Sequence, residues 1–190
     1  EKTMKSLLIA GILALSIGTT HAASYKIDPT HTFPNFTISH LGFSTQHGWF
    51  GKTMGTLEMD LNKKTGSVDI TIDAASINTG FKKRDDHLRS PDFFNVAEFP
   101  EITFKSTKVK FNGKTKAKID GKLTIMGTTK MVTLDVDRIS CGPHPFTKKV
   151  NEVCGFNATT MIKRSDFGIK YGLPAIGDDV MITLQAEATR

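Results

Sequence analysis

The sequence predicts an all-β domain, an antiparallel barrel of about eight strands carrying one short helix. Three observations predict it. Runs rich in Val, Ile, Thr and Phe alternate with polar residues along nearly the whole chain, the period-two pattern of strands. Several of these runs reach ten or more residues, against a common strand length of about five or six. Short turn chemistry separates them. Long antiparallel strands joined by tight turns leave exposed edges unless the sheet closes, and about eight strands close around room for side chains or one small ligand.

The 190-residue chain opens on a routing tag. Met4, Lys5 and Ser6 form a basic start, residues 7–17 are apolar, and Thr20-His21-Ala22 places small residues at a cleavage site. That run is shorter than the roughly 20 residues a bilayer requires, so a cleaved secretory signal over residues 1–22 is expected, leaving a soluble domain over residues 23–190.

Strand-like runs follow at residues 25–28, 34–41, 48–60, 67–75, 101–111, 115–126, 129–140, 155–164 and 179–188. Asn112-Gly113 between two alternating runs is the firmest hairpin signal. Residues 83–90 form the helical candidate: Asp85 and Asp86 suit its start, Arg89 its end, and Pro91 stops it. Parity assigns the inward set. Phe36, Ile38 and His40 share one strand face, and Val68, Ile70 and Ile72 another. Ile102 and Phe104, then Val132, Leu134 and Val136, then Phe156, Ala158 and Ile162, continue it, followed by Val180, Ile182 and Leu184. Trp49 and Phe50, beside two glycines, are expected near a rim, where an indole has one wet and one dry edge.

The formal net charge is +6, with lysines spread along strand faces rather than in a block. A cationic surface favours anionic lipid headgroups; nucleic-acid binding is not expected, because no groove-reading motif accompanies the charge. The two cysteines, Cys141 and Cys154, bracket a proline-containing loop. In an exported chain such a pair is expected to be bonded, with a metal site as the weaker rival.

Residues 84–106, RDDHLRSPDFFNVAEFPEITFKS, splice a polar knot onto aromatics and a strand. Three readings stand. Arg84, Asp85, His87 and Arg89 form a structural lid, with Arg84, Asp85 and Arg89 pairing with backbone carbonyls and one another. Alternatively the knot contacts a ligand headgroup, or Asp85, Asp86, His87 and Asp92 supply acid–base groups with Arg84 and Arg89 holding an anion, although no nucleophile motif or phosphate loop accompanies them. Phe93 and Phe94 read equally as core plugs or as a portal. His31 and His40 are nine residues apart with no H-x-H spacing, so no metal site is expected.

His31-Thr32 with Phe36, Ile38 and His40-Leu41-Gly42 gives an H-[ST]-…-F-x-[VI]-x-H-L-G pattern. Arg84-Asp85-x-His87-Leu88-Arg89-Ser90, Asp92-Phe93-Phe94, Phe99-Pro100 and Ile102-x-Phe104-x-Ser106 form a central block. Gly121-x-Leu123, Gly127-x-x-Lys130 and Arg164-x-Asp166-Phe167-Gly168 follow. In this order the motifs resemble the YceI-like family of exported bacterial proteins from about Tyr25 to the C-terminus. Pro34, Phe99 and the cysteine loop depart from its usual pattern. The resemblance implies a lipocalin-like barrel that binds, transports or stores a long isoprenoid chain, a quinone or prenyl carrier, in the periplasm. It implies no enzyme and no cofactor beyond that bound lipid. Expected partners are therefore an isoprenoid or similar amphiphile and the surface of an anionic membrane, with a homodimer left open. A stress-response interaction module and an enzyme on isoprenoid headgroups are the alternatives.

Overall fold

A computed structural model describes residues 22–150 and 152–190, so the expected signal segment lies outside the described residues except for Ala22. The strands are β1 (Ala23–Ile27), β2 (Phe33–His40), β3 (Ser44–Phe50), β4 (Thr53–Asp60), β5 (Thr65–Asp73), β6 (Ile77–Asn78) and β7 (Glu101–Asn112). They continue as β8 (Lys116–Ile125), β9 (Thr128–Gly142), β10 (Val153–Lys163) and β11 (Ile176–Thr189), with one helix, α1 (Lys82–Arg89). All pairings are antiparallel, in the order β1-β4-β5-β7-β8-β9-β10-β11, and β11 pairs back to β1. This is the expected closed eight-stranded ring. No helix among the described residues is long and apolar enough to cross a membrane.

The ring has a split seam. One edge of β11 pairs with β10 along its length, while the other meets β1 at Thr189↔Lys26 and β2 from Gln185↔Phe33 to Ile176↔His40. The turn between β1 and β2 moves the chain from the lower to the upper part of that edge. β2 then carries β3, and β3 carries the short β6.

One strand expectation is corrected. Residues 48–60 read as a single strand, but the chain breaks at Gly51-Lys52, and β3 and β4 have different neighbours. Gly51 N–H leaves the ladder to bond Ser76 O at 3.1 Å, and Lys52 O accepts from Asp73 N. Backbone groups satisfied outside a ladder end the strand although its alternation continues. The Asn112-Gly113 hairpin forms as read: Asn112 pairs with Lys116, and Gly113 takes a φ of +71° that a Cβ would strain.

Alternation places the core. Inward residues of β1, β4, β5 and β7, including Tyr25, Leu57, Ile72, Ile102 and Phe104, are buried. Leu123, Val136 and Ile162 are buried likewise, but Phe36, Ile119, Leu134, Phe156 and Ile182 remain half-buried although they pack against that core. Their residual exposure is to the barrel's interior.

Cys141 and Cys154 are bonded, as expected. They are directly opposed in the β9–β10 ladder, so the bridge staples two paired strands at the base of the loop.

Candidate functional site

The interior is a cavity of about 420 Å³, within the ~300–1,000 Å³ range of small-molecule sites. Every ring strand contributes to its wall. Phe36, Ile38, His40, Ile72, Ile102, Phe104, Leu134, Phe156, Ile162 and Ile182 all line it, as parity assigned, and Phe50, expected near a rim, joins them with Phe93 and Phe94. Phe36, Phe50 and Phe94 form a chain of rings, with centroids 6.0 and 5.5 Å apart.

Trp49 is the correction. It was expected at the rim in contact with the lumen, but it does not line the cavity and is 37% exposed on the outer face of β3. Phe50 is inward, and adjacent strand residues point to opposite faces, so one of the pair had to be lost.

The interior is also more polar at one end than the sequence indicated. Beyond His40, the groups Gln46, Thr79, Arg84, His87, Arg164 and Tyr171 reach the cavity there. Helix α1 supplies two of them. Its first turn carries Asp85, Lys82 bonds Asp86 one turn on, and His87 and Arg89 sit at the C-terminal end, where the dipole favours cations. The helix stops at Ser90, the residue before Pro91, which disfavours further helix.

The lid residues divide in two. Arg84 and His87 face the cavity; Asp85 and Arg89 anchor the helix. Asp85 is buried and accepts both the N–H (2.8 Å) and the hydroxyl of Thr79. Arg89 donates to the carbonyls of Ala75 (2.7 Å) and Ile77 (2.8 Å). Arg84 donates to Thr79 Oγ1, Thr79 O and Gln46 Oε1 at 2.7–2.9 Å. Pairing with carbonyls was anticipated, but pairing among Arg84, Asp85 and Arg89 does not occur. Thr79 stands between Arg84 and Asp85, and Arg89 takes Asp86 instead at 3.2 Å. His87 bonds Asp92 at 2.8 Å and packs edge-on against Phe93 and Tyr171, each centroid 5.0 Å away.

Arg164 is a site-shaping residue that residue patterning missed. Between Val180 and Ile176 the β11–β2 register shifts, freeing the Ile176 and Gly177 carbonyls from the ladder. Buried Arg164 takes both, at 3.0 and 2.8 Å, together with the carbonyls of Ile169 (3.1 Å) and Tyr171 (2.9 Å). Its burial pushes the guanidinium pKa down, opposed by Asp178, and an arginine remains charged throughout the ordinary pH range. The signal lay in the Arg164-x-Asp166-Phe167-Gly168 motif, but no spacing rule tells a motif arginine to bind carbonyls. Tyr171 gave no signal, because its loop has no periodicity.

His31 lies away from this end, in the β1–β2 turn. Its Nδ1 contacts Asp28 Oδ2 at 2.8 Å and Glu187 Oε2 at 3.9 Å. Ligand atoms of these three side chains lie within 4.8 Å of one another. Glu187 comes from β11, which is why spacing along the chain did not bring it to His31. Asp28 also accepts from the N–H and hydroxyl of Thr30, so the group works as a closed turn.

Comparison with known proteins places this architecture. The chain is 39% identical over 193 aligned positions to Protein YceI of Escherichia coli O157:H7, covering 100% of this chain and 98% of that protein. Burkholderia cenocepacia BcnA superposes with a TM-score of 0.74 at 26% identity, covering 85% of this chain and 98% of BcnA. A polyisoprenoid binding domain from Saccharophagus degradans, implicated in plant cell wall breakdown, shares the fold with a TM-score of 0.64 at 18% identity, over 89% of this chain and 99% of that domain. The YceI-like domain profile matches residues 25–188, and with the barrel, the central motif block and these relatives in agreement, the chain belongs to the YceI-like family.

Proposed function

We propose that this protein binds the tail of a long-chain isoprenoid lipid, a quinone or prenyl carrier, in its barrel and carries or stores it in the periplasm. One observation carries the reading: a closed ring of strands surrounds a cavity whose wall is apolar along its length and polar at one end. That is the complement of an amphiphile with one long tail. At about 25 cal/mol per Å² of apolar surface, burying several hundred Å² of tail contributes on the order of 10 kcal/mol before ordering costs. The polyisoprenoid-binding neighbour supports the ligand class through its shared fold.

In this reading Arg84 and His87 meet the headgroup, Asp85 and Arg89 hold the lid, and the peripheral partner is an anionic membrane. A homodimer is read out by the same purification through its elution volume. Native mass spectrometry and lipid extraction of the purified protein are the direct test. A copurifying prenyl lipid, or uptake of added prenyl quinone, is expected; neither occurring refutes the reading. An enzyme on isoprenoid headgroups has less support, since Asp85 is committed to Thr79 and both cysteines are bonded. Headgroup turnover lost in His87→Ala while tail binding persists would reverse that order.

A further inference from the structure

The polar end of the cavity is ringed by exposed apolar side chains, one of which, Tyr171, also packs its inner edge on His87 and Phe93. Phe43, at the tip between β2 and β3, is 90% exposed, and Leu41, Phe81 and Tyr171 are about half exposed. They belong to one end. Leu41 N–H bonds Ala175 O at 2.8 Å in the loop that carries Tyr171, and Phe43 N–H returns to His40, which lines the cavity. Phe81 precedes α1, which is tied to β3 through the Arg84–Gln46 bond.

The turn itself is unusual. Leu41 and Gly42 take φ of +54° and +71°, a conformation for which a solvated tip ordinarily uses Asn-Gly or Asp-Gly. An aliphatic residue at positive φ is strained. Met126, at +47° before Gly127, is held there by packing against the core. The Leu41 side chain is not among those packed on the core, and backbone bonds to Ala175 and His40 hold its turn instead.

Charge on this face favours an anionic surface. Lys82, Lys83 and Lys170 are exposed, and Lys83 and Lys170 have no carboxylate partner among the described residues. Asp86 pairs with Lys82 and Arg89, and Asp92 with His87; Asp178, bonded to Ser165, and Asp166 keep their charge, so the preference rests on Lys83 and Lys170. Aromatic rings flanked by lysines are the composition of a bilayer interface.

We propose that this rim is a membrane-docking face: Leu41, Phe43, Phe81 and Tyr171 seat in the headgroup region of an anionic bilayer, opening the lumen directly onto the lipid phase. An isoprenoid tail then passes between bilayer and barrel without crossing water. The passage rests on the lipid-binding reading; the docking does not.

The test is flotation of the folded protein with vesicles of phosphatidylethanolamine, with and without phosphatidylglycerol. The wild type is expected to float with the phosphatidylglycerol vesicles. Phe43→Ser lowers the bound fraction about tenfold, and Lys83→Glu with Lys170→Glu removes the preference for phosphatidylglycerol. Phe146→Ser is the internal control. Phe146 is 93% exposed, but it lies in the β9–β10 loop at the opposite end of the barrel, and its loss should change nothing. Equal losses from Phe43→Ser and Phe146→Ser, or no loss from Phe43→Ser, overturn the proposal. Uptake of a prenyl quinone presented in detergent micelles reads the lumen separately. Uptake without flotation refutes docking alone; flotation without uptake upholds docking and refutes the lipid reading.

Discussion

Gly48→Ala tests how the lid and the lumen wall are coupled. A Cβ at Gly48 would lie 2.4 Å from Phe36 Cζ and 3.0 Å from Thr79 Cγ2. Carbon atoms rest about 3.5–4.0 Å apart, so one of these groups must retreat by roughly 1 Å. Thr79 is pinned: its N–H and hydroxyl serve Asp85, and its hydroxyl oxygen and carbonyl accept from Arg84. Phe36 is half-buried and has the cavity on its free side, so the ring moves inward. An off-rotamer ring and poorer packing on Phe50 cost about 1–2 kcal/mol, which for a domain of this size lowers the melting temperature by about 2–8 °C. The displaced ring narrows the lumen. Uptake of long prenyl quinones should therefore fall more than uptake of short ones, measured with a graded series alongside thermal melting by circular dichroism. Phe36→Leu in the Gly48→Ala background removes the clashing atoms and should restore part of both. If the second substitution relieves neither stability nor uptake, or if all chain lengths bind as in the wild type, the steric argument is wrong.

Replacing Arg164 with Met leaves the Ile176, Gly177, Ile169 and Tyr171 carbonyls without their shared donor, and should cost about 3–5 kcal/mol in urea unfolding. Thr53→Val should have the opposite sign, because Thr53 Oγ1 is buried without a hydrogen-bond partner; a rise in stability of up to about 1 kcal/mol is expected in the same assay. Cys141→Ser with Cys154→Ser releases a bridge of sequence separation 13, worth about 3 kcal/mol by loop closure, and should make the melting temperature insensitive to added reductant. His31 gives a pH signature. The hydrogen bond and charge of Asp28, with Glu187 behind, raise its pKa above the ordinary 6.5. The stability it supplies is full below pH 6.5 and is lost as pH rises through the raised value, so the melting temperature should decline across that window and His31→Gln should flatten the slope.

The barrel was legible because closure and burial both write themselves into alternation. Residues such as Ile102, Phe104 and Leu134 could be assigned inward from parity alone, and the helix ends from Asp85, Arg89 and Pro91. Alternation has no memory of neighbours, however. It ran straight through Gly51-Lys52, where the chain changes partners, and it could not say which of Trp49 and Phe50 was inside. The polar end depended on contacts between distant segments: Gln46 with Arg84, and Arg164 with the β11 bulge. A guanidinium satisfied by backbone carbonyls leaves no complementary charge in the sequence, and the Arg–Asp pairing that neighbouring charges suggest is displaced by Thr79, which stands between Arg84 and Asp85.

The split seam has a consequence for how the molecule is made. β4–β5, β7–β8, β8–β9 and β10–β11 can each zip as local hairpins, but the joint of β11 with β1 and β2 unites segments such as Thr32 and Glu187, 155 residues apart. Contacts at that separation carry the largest loop-closure entropy and form late. Until they form, the nascent protein is an open sheet with two raw edges and an apolar face turned to solvent. Substitutions along the joint should therefore register first in refolding rate and aggregation yield, and sites on the local hairpins first in equilibrium stability.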